Sequence, residues 1–234
     1  LEFGANGMKV VIFGATGMVG QGVLRECLLA PDVELVQTVG RSATGGGEAK
    51  LREVVHADFL DFSAVEAQLR GFDACFFCLG VSSLGMNEAD YTRITYDYTM
   101  AAARTLAKLN PGMVFTYVTG AGTDSSEKGR TMWARVKGRT ENELQTLGFK
   151  ATYLFRPGAI LPMHGIEPKD SRLRTLYRLT KPLWRMARAA WPNRVASTET
   201  IGLAMLGVVR GGAAKAIVDP PDIEAIARRE RGQR

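Results

Sequence analysis

The stretch MKVVIFGATGMVGQGVLRECLLA (8–30) constrains the fold more than any other part of the chain. It opens as a short apolar strand and turns through glycines. It then continues with Val19, Val23, Leu24, Cys27 and Leu28 at helical spacing until Pro31 stops it. In a strand–turn–helix unit the glycines have separate roles. Gly14 permits the tight turn, Gly17 lets backbone approach a pyrophosphate, and Gly20 lets helix and strand pack closely. The first helical amides then face a negative ligand. Gly14, Ala15, Thr16, Gly17, Met18, Val19 and Gly20 are therefore the expected cradle of a dinucleotide site.

The rest of the chain repeats this alternation. VELVQTVGR (33–41), LREVVHAD (51–58), FDACFFCLG (72–80), GMVFTYVTGAG (112–122) and FKATYLFRPG (149–158) read as further strands. Between them, FSAVEAQLRG (62–71), 86–110 and 131–148 read as helices, the second one continuous up to Pro111. Apolar strands alternating with helices predict a doubly wound α/β fold, a parallel sheet of strand order 3-2-1-4-5-6. After residue 158 the alternation weakens. The region of about 159–210 is expected to form a small helical lid at the carboxyl edge of the sheet, all within a single domain over 8–234. Within it, 197–209 reads as a helix capped by Ser197 or Thr198. AKAIVD (214–219) reads as a last strand, and the charged IARRERGQR is expected to fray.

Cofactor choice turns on the end of the second strand. An acidic residue there would hold a ribose 2′-hydroxyl. That end reads VGRS, and Asp32 and Glu34 lie at the opposite end. Arg41 can pair with a 2′-phosphate and Ser42 can add a hydrogen bond, which favours NADP over NAD.

GATGMVG, HADF, FFCLG, YVTGAG, the helix carrying Lys137, and LFRPG together resemble the extended or atypical short-chain dehydrogenase/reductases. LGVSSLGMNEADYTRITYDYT and WARVKGRTENEL…LFRPGAIL are most similar to the branch that contains the Tat-interacting oxidoreductase-like and nucleoside-diphosphate-sugar-epimerase-like proteins. The resemblance implies that Asp58 and Phe59 flank the adenine, and that Cys78, Leu79 and Gly80 line the path to the nicotinamide. Phe155, Arg156, Pro157 and Gly158 would close the nicotinamide pocket, and Thr119 would bond substrate.

That superfamily carries a tyrosine four residues before a lysine on the helix after the fifth strand. The lysine binds the nicotinamide ribose and lowers the tyrosine's pKa so that it can pass a proton. Lys137 fits the lysine position, but Trp133 occupies the tyrosine's place, and indole cannot cycle a proton near neutral pH. Tyr91, Tyr96, Tyr98, Ser125, Ser126 and Thr119 are candidate substitutes, none favoured over ordinary structural bonding. Tyr177 and Lys181 repeat the spacing, but after the RPG turn, outside the family's position. The implied function is an NADP-dependent oxidoreductase acting on a small carbonyl or alcohol. The alternatives are a cofactor-binding regulatory or scaffold protein and a sugar-nucleotide epimerase.

Composition narrows the classes. Hydrophobic residues at 46% and charged residues at 23% suit an ordinary globular domain. No apolar run reaches membrane-spanning length and no signal peptide precedes the first strand. LEFGANG (1–7) reads as a vector-derived scar. Three cysteines argue against a disulfide framework, which suggests a reducing, cytoplasmic setting. Cys75 and Cys78 fall in a strand and should point to opposite faces. With only His56 and His164, no metal site is expected. The net charge of +6 gathers in 169–194, a basic amphipathic segment read as part of the lid, or else as a surface for a protein partner or a membrane. No recognition motif for nucleic acid accompanies it.

Overall fold

The computed structural model describes residues 7–167 and 195–232. Nine strands and six α-helices occur among them. They run β1 (Met8–Phe13), α1 (Met18–Leu29), β2 (Val33–Gly40), β3 (Leu51–Val55), β4 (Ala74–Phe77), α2 (Glu88–Thr92), α3 (Tyr98–Leu109), β5 (Val114–Val118), α4 (Met132–Leu144), β6 (Ala151–Phe155), β7 (Ala159–Leu161), β8 (Val195–Ser197), α5 (Thr198–Gly211), β9 (Ile217–Val218) and α6 (Pro220–Arg231). The main sheet has seven strands in the order β3-β2-β1-β4-β5-β6-β9, and every pairing is parallel. The expected order stands, and AKAIVD adds the seventh strand at the edge. β7 and β8 form a separate parallel pair, which the sequence reading did not foresee.

Side chains alternate through the sheet and feed two cores. Val10 and Ile12 face α1, α5 and α6, while Val11 and Phe13 face the other layer of helices. The second core is aromatic: Phe13 stacks on Phe77 at 5.2 Å, and Phe59 and Phe62 meet Phe13 edge-on. Cys75 belongs to this core and Cys78 packs against the other, as their spacing on a strand requires. Both thiols are free.

Several local readings need correction. Residues 62–71 make a 3₁₀-helix, Ser63–Leu69, and the helix expected over 86–110 contains a π-turn at Arg93–Asp97 between α2 and α3. The charged tail does not fray. Ile223, Ile226 and Ala227 form an apolar stripe at i, i+3 and i+4 that is buried against the first core, with Pro at the start of the helix. The expected lid narrows as well. Its described helix, α5, is buried along most of its length and packs on α1 and α6, not over the carboxyl edge. Its cap is as expected, with Ser197 Oγ accepting from Thr200 N at 3.0 Å. The basic segment 169–194, with Tyr177 and Lys181, lies outside the described residues.

The α1–α5 contact depends on missing side chains. A Cβ on Gly22 would stand 2.6 Å from the Thr198 backbone oxygen, and one on Gly202 would stand 2.8 Å from Glu26 Cγ. Gly22→Val should therefore cost about 1–3 kcal/mol by overpacking. In a thermal melt the midpoint should fall by roughly 3–10 °C.

Candidate active site

A cleft of about 510 Å³ opens at the carboxyl ends of β1, β2 and β4, the point where strand order reverses. Gly14, Ala15, Thr16, Gly17 and Met18 form one wall, and Arg41 and Ser42 form another. Phe59, Cys78, Leu79 and Gly80 complete most of the remainder. The sequence reading missed Thr38, Val39, Gly40, Thr44, Val81 and Ser82 in the lining. Thr44 had a signal only in three dimensions: Glu53 of β3 accepts hydrogen bonds from its amide and its hydroxyl, which pins the loop after Arg41.

The glycine positions are sterically required. Gly14 has φ of +77°, and a Cβ there would lie 2.6 Å from Leu79 N. A Cβ on Gly20 would lie 2.1 Å from Gly14 O, so Gly20 serves the packing of helix on turn and does not line the cleft. Gly17 is the N-cap of α1 and no side chain caps that helix, so its first amides are left to an outside acceptor. Nothing stands within 4 Å of a Cβ position on Gly80, so backbone is open to a ligand there. The volume and the cradle fit a dinucleotide. Val19 packs against the core under α1, and Asp58 turns away to accept from Leu60 N at 2.9 Å.

A second group of residues gathers where β5 and β6 end. The ladder continues past the strands, with Thr119 N donating to Phe155 O at 2.8 Å and Ala121 N to Pro157 O at 2.9 Å. This sets TGAG (119–122) beside the RPG turn of 156–158. Lys137 Nζ lies 3.4 Å from both Val118 O and Thr119 O, and 5.8 Å above the Tyr117 ring. Burial pushes its ammonium down to about 8, and the Glu141 charge works in the opposite direction. The Trp133 indole lies over the turn: a methyl on Gly122 would meet Trp133 Cη2 at 3.6 Å. None of Thr119, Lys137, Phe155, Arg156, Pro157 or Gly158 lines the cleft described above.

Glu141 joins this second group and was absent from the sequence reading. It is fully buried. It accepts from Thr119 Oγ1 at 2.7 Å and from Arg156 Nε and Nη2, while Arg156 Nη2 also donates to Ser125 Oγ at 2.6 Å. Its signal was a carboxylate one turn beyond Lys137 on the same helix face. Arg156, expected at the nicotinamide pocket, is thus engaged in an ion pair and a hydroxyl contact.

The candidate substitute acids are also engaged. Tyr91 is buried in the aromatic core, and burial pushes its phenol up. Tyr96 donates to Glu143 under the Arg139 guanidinium. Tyr98 packs on Phe59 at 5.7 Å. Ser125 accepts from Arg156, and Ser126 donates to Asp124 at 2.6 Å. The Thr119 hydroxyl faces two acceptors, Glu141 Oε1 at 2.7 Å and Phe155 O at 3.1 Å, so its one proton is spent within the fold. Cys78 is a poor nucleophile because burial raises its thiol to about 12. Among the described residues no cluster of three or more His, Cys, Asp or Glu could hold a metal, and no helix is long and apolar enough to cross a membrane.

No protein-family model matches the chain. Protein FMP52, mitochondrial, of Candida albicans is 26% identical over 76% of this chain and 79% of its own length. Protein HTATIP2 of Rattus norvegicus is 28% identical over 68% of this chain, and the match spans 66% of the rat protein. Among solved structures, an oxidoreductase of the short-chain dehydrogenase/reductase family from Burkholderia thailandensis superposes with a TM-score of 0.66 at 15% identity, covering 97% of this chain and 98% of the other. A UDP-N-acetylglucosamine 4-epimerase from Methanobrevibacter ruminantium gives a TM-score of 0.67 at 13% identity, covering 92% and 76%. At these identities the superpositions establish the fold. HTATIP2 and FMP52 are thus among the chain's homologues, and its parallel Rossmann-like sheet is the fold of these short-chain dehydrogenase/reductase and epimerase structures.

Proposed function

We propose that the chain binds NADP in the cleft of Gly14–Met18 and interconverts a carbonyl and an alcohol on a small molecule. The observation that carries this reading is the uncapped start of α1 facing an open glycine-walled cleft, with Lys137 on the neighbouring β5–α4 junction. The amides of Met18 and Val19 would hold the pyrophosphate, and Arg41 with Ser42 the 2′-phosphate. Phe59 offers an apolar face for the adenine. Lys137 would reach the nicotinamide ribose. When bound, the nicotinamide supplies or takes a hydride.

The chain's own residues then do three things. The glycine turn gives close backbone approach. The half-buried Lys137 supplies a positive charge held against two carbonyl oxygens. Val81, exposed and lining the cleft, offers contact to an apolar part of the substrate. Residues 8–234 are read as one domain. The three free thiols support a reducing compartment such as the cytoplasm, although the names of the fungal FMP52 relatives place those proteins in mitochondria.

One observation favours a second reading, a regulatory protein that binds cofactor without turnover. Indole replaces the acid, and the hydroxyls of Thr119, Tyr96 and Ser126 already donate within the fold. An epimerase needs a base, and among the described residues Glu141, the carboxylate one turn beyond Lys137, is engaged by Thr119 and Arg156.

In a fluorescence titration NADPH should bind more tightly than NADH. Arg41→Ala should weaken NADPH binding by about 10–100-fold while leaving NADH within about 3-fold, as loss of a charge-assisted phosphate contact predicts. Equal affinities in the wild-type protein would remove the NADP assignment. NADPH affinity should fall as pH rises from neutrality through about 8, where Lys137 loses its charge. Lys137→Met should abolish that dependence. Trp133→Tyr should raise carbonyl reduction by about 10²–10⁴-fold on a panel of aldehydes and ketones. Turnover already at the variant's level in the native protein would mean that no acid is missing.

A further inference from the structure

We infer that Glu141 is a positioning residue, the buried anchor from which Lys137, Thr119 and the β6 exit are held in one arrangement. The inference deepens the reading of Lys137 as the cofactor-organising residue and rests on it. A carboxylate with no exposed surface is costly unless its oxygens are fully engaged. Glu141 meets that demand by reaching two segments directly and a third through Arg156. Oε1 accepts from Thr119 at the end of β5, and both oxygens accept from the Arg156 fork beyond β6. Arg156 carries the link on to Ser125 in the loop before α4.

Lys137 lies one turn earlier on α4. Its ammonium is surrounded by Val118 O, Thr119 O and the Tyr117 ring of β5. Tyr91 of α2 is buried in the same core as Tyr117. Arg156 is bound to the Glu141 carboxylate, and Glu141 is the anion whose charge favours the protonated amine. The carboxylate therefore does two things. It is the nearer of two acceptors for the Thr119 hydroxyl, the other being Phe155 O at 3.1 Å, and it opposes the desolvation that would neutralise Lys137. A purely structural brace would need the hydrogen bonds but would have no influence on the amine.

The test is a ¹³C NMR titration of Lys137 Cε in lysine-labelled protein without cofactor, assigned with Lys137→Arg. Wild-type Lys137 should titrate near 8. Glu141→Gln keeps the shape and much of the hydrogen bonding but removes the charge, so the midpoint should fall by about one pH unit. Glu141→Asp retains the charge at a longer reach and should fall by less. A Glu141→Gln midpoint equal to wild type overturns the proposal. Should Glu141→Gln not fold in a thermal melt, the double variant Glu141→Leu with Arg156→Leu, which removes the whole buried ion pair, decides: the Lys137 midpoint should fall, and an unmoved midpoint overturns the proposal equally. NADPH titration of the same samples separates the two levels. A shifted Lys137 with NADPH affinity independent of the amine's charge upholds the anchor and removes the cofactor role of Lys137.

Discussion

The site depends on how closely two strand ends approach each other. β1 and β4 are neighbours, and just past their last residues the backbone of Gly14 lies against Leu79 N, at a distance where any side chain would collide. The same turn receives Gly20 from α1, again with no room for a methyl. Backbone against backbone at both contacts leaves the amides of the helix start facing outward and the cleft floor free of side chains. Every other lining residue reaches the cleft because the sheet reverses its order at this point, sending β2 one way and β5 the other.

Buried charge forms a second layer of organisation. Glu141 joins the ends of β5 and β6 to the loop before α4 through Arg156 and Thr119. On the opposite side of the sheet, Arg210 of α5 binds Asp32, before β2, and Glu230 of α6. Such groups gain little net stability over well-packed apolar ones, because desolvation offsets most of the attraction. Their effect is directional. Each ties segments far apart in sequence into one register, Asp32 and Arg210 being 178 positions apart. Asp32 thus has a partner at the amino end of β2, which explains an acidic residue there without any role toward a ribose.

Much of the architecture was legible because period and punctuation agree. Apolar strands bounded by glycines and prolines recur from Met8 to Phe155, and parallel strands buried on both faces have to read that way. The glycine turn was legible because the steric demand on Gly14 is local to strand, turn and helix. The helix of the tail was not. Ile223, Ile226 and Ala227 lie among enough charges that their stripe looks like a solvated segment until α5 is there to receive it. Glu141 was hidden for a related reason. In sequence it is an unremarkable acid on a charged helix, and its burial follows from Arg156 and Thr119 arriving from two different strands. The π-turn at Arg93–Asp97 had no sequence signal that we can identify.

The sequence by itself determined the strand–helix alternation, the order of the six principal strands, the glycine-walled turn, and the placing of the Trp133 indole four residues before Lys137. These follow from spacing and from the chemistry of single side chains, which do not change on folding. The tertiary structure decided which hydroxyls are spent, that Arg156 pairs with Glu141, that α5 covers α1, and that Lys137 loses solvent while keeping its counter-charge. Those outcomes depend on distances between segments remote in the chain. Desolvation and hydrogen-bond pairing take effect only when the segments meet.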